Sequence, residues 1–291
     1  MLTGKSLLVL GGDARYVELM RQFVDLDATV YAIGFDDKEE DLIDVHLTNI
    51  NDVPTERLDA IVLPVTGLDQ DGYAESYFSD HSPQVSKEWF HSLKDECFIF
   101  TGIMTPFLKE MNRVQSKIIP LFDRDDVAIY NSIPTAEGTL MFAIQHTDFT
   151  IHDANVTILG FGRVGKTLVQ VFKGMNANVS VYARDDIDLS RIFEYHAKPV
   201  KQDELNDAVK DCDILINTIP KLVVTPAIIS QLPKDSLIID IASKPGGVDF
   251  RFAKKRGIKA ILAPSLPGLV APITAGKILA GVIRNIMTEK E

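Results

Sequence analysis

The chain has 291 residues, 46% of them apolar, and a formal charge of −11 from 41 acidic and 30 basic side chains. That length leads us to expect two domains with ample cores, and the acidic balance excludes nucleic acid, whose phosphates demand a basic face. No apolar run approaches the roughly 20 residues that span a bilayer, and Met1-Leu2-Thr3-Gly4-Lys5 runs into a strand, not a signal peptide, so we expect no membrane and a cytoplasmic protein.

The elements alternate strand and helix from the start. Ser6-Leu7-Leu8-Val9-Leu10 is a strand that breaks at Gly11-Gly12-Asp13, and a helix follows through Tyr16, Leu19, Met20, Phe23 and Val24. Thr29–Ile33, Asp59–Leu63 and Cys97–Phe100 are further buried-looking strands. This alternation indicates a parallel sheet covered on both faces. The turn Gly11 to Arg15 lacks G-x-G-x-x-G spacing, and Asp13 would repel a pyrophosphate. It reads either as a place for a different ligand or as an aspartate helix cap beside a surface arginine.

The joint Asn131-Ser132-Ile133-Pro134-Thr135-Ala136-Glu137-Gly138 follows. Pro134 suits the first turn of a helix, with Glu137 near its positive end. Such a helix would link two domains and bring Ser132, Thr135 and Glu137 to a cleft; helix-start chemistry alone explains the same residues.

In the second half, Val156-Thr157-Ile158-Leu159 leads into Gly160-Phe161-Gly162-Arg163-Val164-Gly165, which opens the helical pattern Val164, Leu168, Val169, Phe172. Strand, glycine turn and helix is the setting in which this spacing binds a dinucleotide. Gly160 makes the turn, Gly162 admits the pyrophosphate, and Gly165 lets helix and strand pack, with the helix N–H groups facing the phosphates. The second strand, Asn178–Tyr182, ends in Ala183-Arg184 where an NAD site would usually carry Asp or Glu. A small residue followed by arginine suits a 2′-phosphate, so we expect NADP, with NAD the alternative through Asp185. Strands at 213–217, 237–241 and 259–262, the first two carrying the cofactor candidates Asn217 and Asp240, end in the turns Thr218-Ile219-Pro220, Ala242-Ser243-Lys244-Pro245-Gly246-Gly247 and Pro264-Ser265-Leu266-Pro267-Gly268. These turns are expected to converge on the nicotinamide side. A helix from Thr274 through Met287 closes the chain. There is no internal sequence repeat.

The expected fold is therefore α/β, with two doubly wound parallel-sheet domains, the second a Rossmann NAD(P)-binding domain. The divisions are an N-terminal domain at 1–130, a linker helix at 131–152, the cofactor domain at 153–272 and a C-terminal helix at 273–291 packing back on the first domain. Cys97 and Cys212 fall in separate apolar runs and read as buried free thiols. The six histidines are scattered, and no metal-site spacing exists.

Five motifs together resemble the dipicolinate synthase A-subunit family of spore-forming bacteria, over nearly the whole chain: Gly11 to Arg15, Asn131 to Gly138, Gly160 to Gly165, Asp240 to Gly247, and Leu266 to Gly276. The resemblance implies NAD(P)-linked oxidation of a dihydrodipicolinate-type ring to dipicolinate in the mother-cell cytoplasm, with the dipicolinate synthase B-subunit as partner. It leaves a homo-oligomer open. For such a dicarboxylate, Arg15 and Lys244 are the cationic candidates, Ser132, Thr135 and Ser243 further donors, and Glu137 or Asp13 the proton acceptor. The layout also looks like that of 2-hydroxy-acid and alanine dehydrogenases. Two rival readings stand: a dehydrogenase of an open-chain hydroxy or amino acid, which would need a histidine or lysine beside the nicotinamide, and a non-catalytic NADP-binding scaffold.

Overall fold

The computed structural model describes residues 1–111 and 117–289. Two compact units make up the chain, Met1–Tyr130 with Ala271–Glu291, and Asn131–Val270.

The first unit runs β1 (Ser6–Leu10), α1 (Ala14–Asp25), β2 (Thr29–Ile33), β3 (Val45–Leu47), β4 (Ala60–Val62), α2 (Lys87–His91), β5 (Phe98–Thr101), α3 (Pro106–Met111) and β6 (Lys117–Pro120). The six strands pair in parallel in the order β3-β2-β1-β4-β5-β6. The Leu-rich run of β1 has no polar alternation because both its faces are covered. Leu7 and Val9 join Leu19 and Phe23 of α1, while Leu8 and Leu10 join Ile61, Ile99 and Phe107. The apolar stripe of α1 closes on the sheet, and Asp27, at φ 67°, turns the chain into β2.

Next comes α4 (Asp125–His146), which corrects the expected helix start: Pro134 lies inside this helix, not in its first turn. Asp125 and Asp126 occupy the first turn instead, and Asp126 is held by Arg124 at 2.9 Å. Pro134 has no N–H to give the Tyr130 carbonyl one turn back, and beside it the Thr135 hydroxyl donates to the Asn131 carbonyl at 2.7 Å. The boundary between the units falls within α4.

The second unit runs β7 (Asn155–Leu159), α5 (Arg163–Gly174), β8 (Asn178–Tyr182), α6 (Asp186–Glu194), β9 (Lys198–Val200), α7 (Leu205–Ala208), β10 (Ile214–Asn217), α8 (Pro226–Gln231), β11 (Leu237–Asp240), α9 (Phe250–Arg256), β12 (Lys259–Leu262) and α10 (Leu266–Val270). Its strands are also all parallel, in the order β9-β8-β7-β10-β11-β12. Read by rank in each unit, both sheets follow the path 3-2-1-4-5-6, the doubly wound order. Val156 and Ile158 pack on one face with Phe172 of α5, and Leu159 and Leu215 on the other.

The chain ends in α11 (Pro272–Thr288), which belongs to the first unit. It lies close against α1 because Gly276 has no side chain: a Cβ there would stand 2.4 Å from the Arg15 carbonyl. Leu279, Ala280 and Ile283 complete that contact in the cluster of Leu19, Met20 and Phe23. The expected 273–291 segment extends to Lys290 and Glu291, which lie outside the described residues.

Candidate functional site

The glycine turn of the second unit is the natural starting point. β7 ends at Leu159, and Gly160 turns the chain at φ 102°, a conformation that L side chains rarely adopt. Its N–H donates to Tyr182 O at 3.0 Å, and a Cβ on it would meet Thr218 Oγ1 at 2.4 Å. A Cβ on Gly165 would stand 2.2 Å from Gly160 O, so only glycine permits this packing of helix on strand. Gly162 is the N-cap of α5 without a capping side chain, is exposed, and has nothing within 4 Å of a built Cβ. The open approach, the first-turn amides and the positive helix end suit a pyrophosphate. Arg163 is exposed and Val164 half-buried in that first turn.

At the end of β8, Ala183 is buried and Arg184 exposed. Asp185 is the N-cap of α6, but its side chain makes no capping bond. The turn after β10 carries Thr218, whose hydroxyl donates to Leu159 O at 2.8 Å, and the half-buried Ile219 and exposed Pro220. After β11, Ala242 is buried, while Ser243 and Lys244 are exposed next to a cis Lys244–Pro245 bond.

The other expected site residues stand in varied surroundings. Leu266 and Pro267 belong to α10, not to an open turn, and Leu266 packs in the core beside Gly138; Pro264 stays exposed. Asn217 and Asp240 are fully buried, and their side chains hydrogen-bond within the protein. Ser132 is buried with its hydroxyl 2.6 Å from Thr167 Oγ1 of α5, and Thr135 bonds back into α4, so both hydroxyls are engaged inside the second unit. Glu137 is exposed, but mid-helix, far from the positive end expected to favour it. Sequence reasoning misses Thr167 because nothing local distinguishes it from any helix-surface threonine.

In the first unit, Asp13 caps α1 through the Arg15 amide at 3.0 Å. The same carboxylate takes Arg15 Nε at 2.9 Å and Nη2 at 2.5 Å. Arg15 is only 5% exposed. Burial works against its charge, but the hydrogen bond and charge of Asp13 outweigh it, and its pKa is raised. The two groups thus form one ion pair at the start of α1. A segment without any sequence motif of its own covers this turn: Gly12 N donates to Glu75 O at 2.8 Å, and Tyr77 N to Gly12 O at 3.2 Å. Glu75 in turn accepts from Thr66 at 3.0 Å and from the Tyr77 hydroxyl at 3.1 Å, and its charge raises the Tyr77 pKa. Burial also pushes the Cys97 thiol up to about 12 and that of Cys212 up to about 11. Among the described residues, no His, Cys, Asp and Glu cluster could hold a metal, and no helix is long and apolar enough to cross a membrane.

This geometry can be set against known proteins. Residues 6–122 match the family model of the N-terminal domain of the dipicolinate synthase A-subunit. Along 99% of its length the chain is 44% identical to the dipicolinate synthase A-subunit of Bacillus subtilis, covering 98% of that protein. The chain belongs to the dipicolinate synthase A-subunit family. Crystal structures of members from Bacillus halodurans and Bacillus subtilis superpose with TM-scores of 0.95 and 0.93, at 44% and 43% identity. They cover 99% and 100% of this chain, and the chain covers 99% of each. Residues 99–289 match the C-terminal domain of alanine dehydrogenase/PNT, so the nucleotide-type turn of this family member sits in a dehydrogenase-like fold.

Proposed function

We propose that this chain is the dehydrogenase component of a dipicolinate synthase: it oxidises a dihydrodipicolinate-type ring at a CH–CH bond, with NADP as acceptor, together with a second component in the mother-cell cytoplasm. The observation that carries this is the Gly160–Gly165 turn, bare of capping side chains, in a chain 44% identical over 99% of its length to a dipicolinate synthase A-subunit. When bound, the dinucleotide supplies the hydride acceptor.

The chain's own residues then bind and orient. Gly160, Gly162 and the first-turn amides of Arg163 and Val164 hold the pyrophosphate. Arg184, exposed after a buried Ala183, supplies a fork for the 2′-phosphate. The uncommitted Asp185 carboxylate supports the rival, NAD-type contact to ribose hydroxyls. The exposed tip of Ser243 and Lys244 receives a substrate carboxylate, and Glu137, exposed on α4, takes a proton.

The deciding experiment combines the purified chain with its B-subunit partner, freshly prepared dihydrodipicolinate and either cofactor. We expect dipicolinate and reduced cofactor in equal amounts, faster with NADP. Binding of the dinucleotide without any turnover would overturn the catalytic reading in favour of a scaffold.

A further inference from the structure

The turns after β10 and β11 both hang on one buried pair. Asn217 and Asp240 end these adjacent strands as register partners, and each is 0% exposed. Asn217 Nδ2 donates to Asp240 Oδ1 at 2.8 Å and to Ile219 O at 3.0 Å, while its Oδ1 accepts from Ile219 N at 3.1 Å. Asp240 Oδ1 also accepts from Ala242 N at 3.2 Å, and Oδ2 from Gly247 N at 2.9 Å. Ala242 and Gly247 flank the exposed tip that carries Ser243 and Lys244. No side chain fits between: a Cβ on Gly247 would stand 2.4 Å from Asn217 Nδ2, and one on Gly246 would stand 2.9 Å from Asp240 Oδ2.

We infer that Asp240, acting with Asn217, is a positioning residue that locks these two turns into one rigid surface for the nicotinamide half of the cofactor. It acts through the turns and touches no ligand. Three N–H groups converge on its two oxygens, and only an acceptor-only group satisfies them all. An amide in its place puts NH2 where an oxygen is required and leaves at least one buried donor without an acceptor. The pairing also transmits: disturbing Asn217 on β10 disturbs the tip that follows β11.

This inference rests on the dinucleotide reading, and its test separates the two. Calorimetric titration compares the whole dinucleotide with ADP, which lacks the nicotinamide half. For Asp240→Asn we expect the whole dinucleotide to bind about tenfold more weakly, with ADP affinity unchanged. Equal weakening of both ligands, or of neither, would overturn the positioning role. Failure of the wild-type chain to bind either would overturn the nucleotide reading itself, and the inference with it. Amide hydrogen exchange on Asn217→Ala gives a second reading that needs no ligand. Ile219 and Gly247 should both exchange faster; an unchanged rate at Gly247 would show that the turns are not coupled.

Discussion

In each unit the first strand ends in a glycine of positive φ whose N–H donates to the last residue of the second strand, Gly11 to Ile33 O at 2.9 Å and Gly160 to Tyr182 O at 3.0 Å. Strand, helix and second strand recur at a constant separation of 149 residues, Ser6 with Asn155, Ala14 with Arg163 and Thr29 with Asn178. At that separation Asp13 stands where the second unit has Gly162, and Tyr16 where it has Gly165. Asp13 places a carboxylate over the helix start. The Tyr16 ring lies against Gly12, where a built Cβ would be 2.4 Å away. Residues 74–77 then cover the first turn through Gly12. The same topology thus yields a closed, self-capped turn in one unit and an open one in the other. The difference between the two turns resides in a few side chains and not in the fold.

The comparison can be broken most forcefully at Asp13. Asp13→Ala removes the cap and leaves the buried Arg15 without its partner, and we expect about 3 kcal/mol of destabilisation in a denaturant melt, with dinucleotide affinity untouched. A loss of dinucleotide binding would show that the closed turn serves the same ligand. Gly162→Asp imposes the first turn's chemistry on the second. Its φ of −78° and the open space around it tolerate the side chain. The ligand-free protein should gain only about 0.3 kcal/mol from the new cap, since glycine is itself a fair N-cap, while dinucleotide affinity falls about 100-fold; unaltered affinity would remove the phosphate reading of this turn.

Smaller effects sharpen the contrast. Arg184→Ala should weaken NADP about tenfold and leave NAD nearly unchanged; an unchanged NADP affinity would move the assignment to Asp185 and NAD. Finally, each unit holds one buried thiol, Cys97 and Cys212. Burial raises their pKa values to about 12 and about 11, against roughly 8.5 in an unfolded chain. Above that lower value the unfolded state releases a proton that the folded state retains, so stability is full below about pH 8.5 and is lost as pH rises through the folded values. Between about pH 8 and about pH 9.5 we expect about 1 kcal/mol lost per thiol. Urea midpoints of Cys97→Ala and Cys212→Ala should each show a shallower decline, and slopes equal to wild type would contradict it.

Much of the fold is legible in the residues. The runs Ser6–Leu10 and Thr29–Ile33 are strands at those very bounds, the first an apolar run buried along nearly its whole length, the second an alternation with Val30 and Ala32 on the buried side. The strands β3, β6 and β9 are not, since three or four residues are too few to show a period. The start of α4 misleads because proline in a first turn is the common case, and only the packed helix shows it tolerated further in. At the candidate site, the glycine spacing marks the open turn. The engagement of Ser132 with Thr167, or of Asp240 with Gly247, depends on partners brought in from elsewhere in the chain.

The sequence by itself determines the alternation of strand and helix, the bare glycine turn at Gly160 and the position of Arg184 after the second strand, because each depends on neighbours within a few residues. Only the tertiary structure decides that Arg15 is buried rather than on the surface, that residues 74–77 close the first turn, and that Asn217 and Asp240 bind two turns from within. Those outcomes are set by burial and by hydrogen-bond geometry, which residue order alone does not contain.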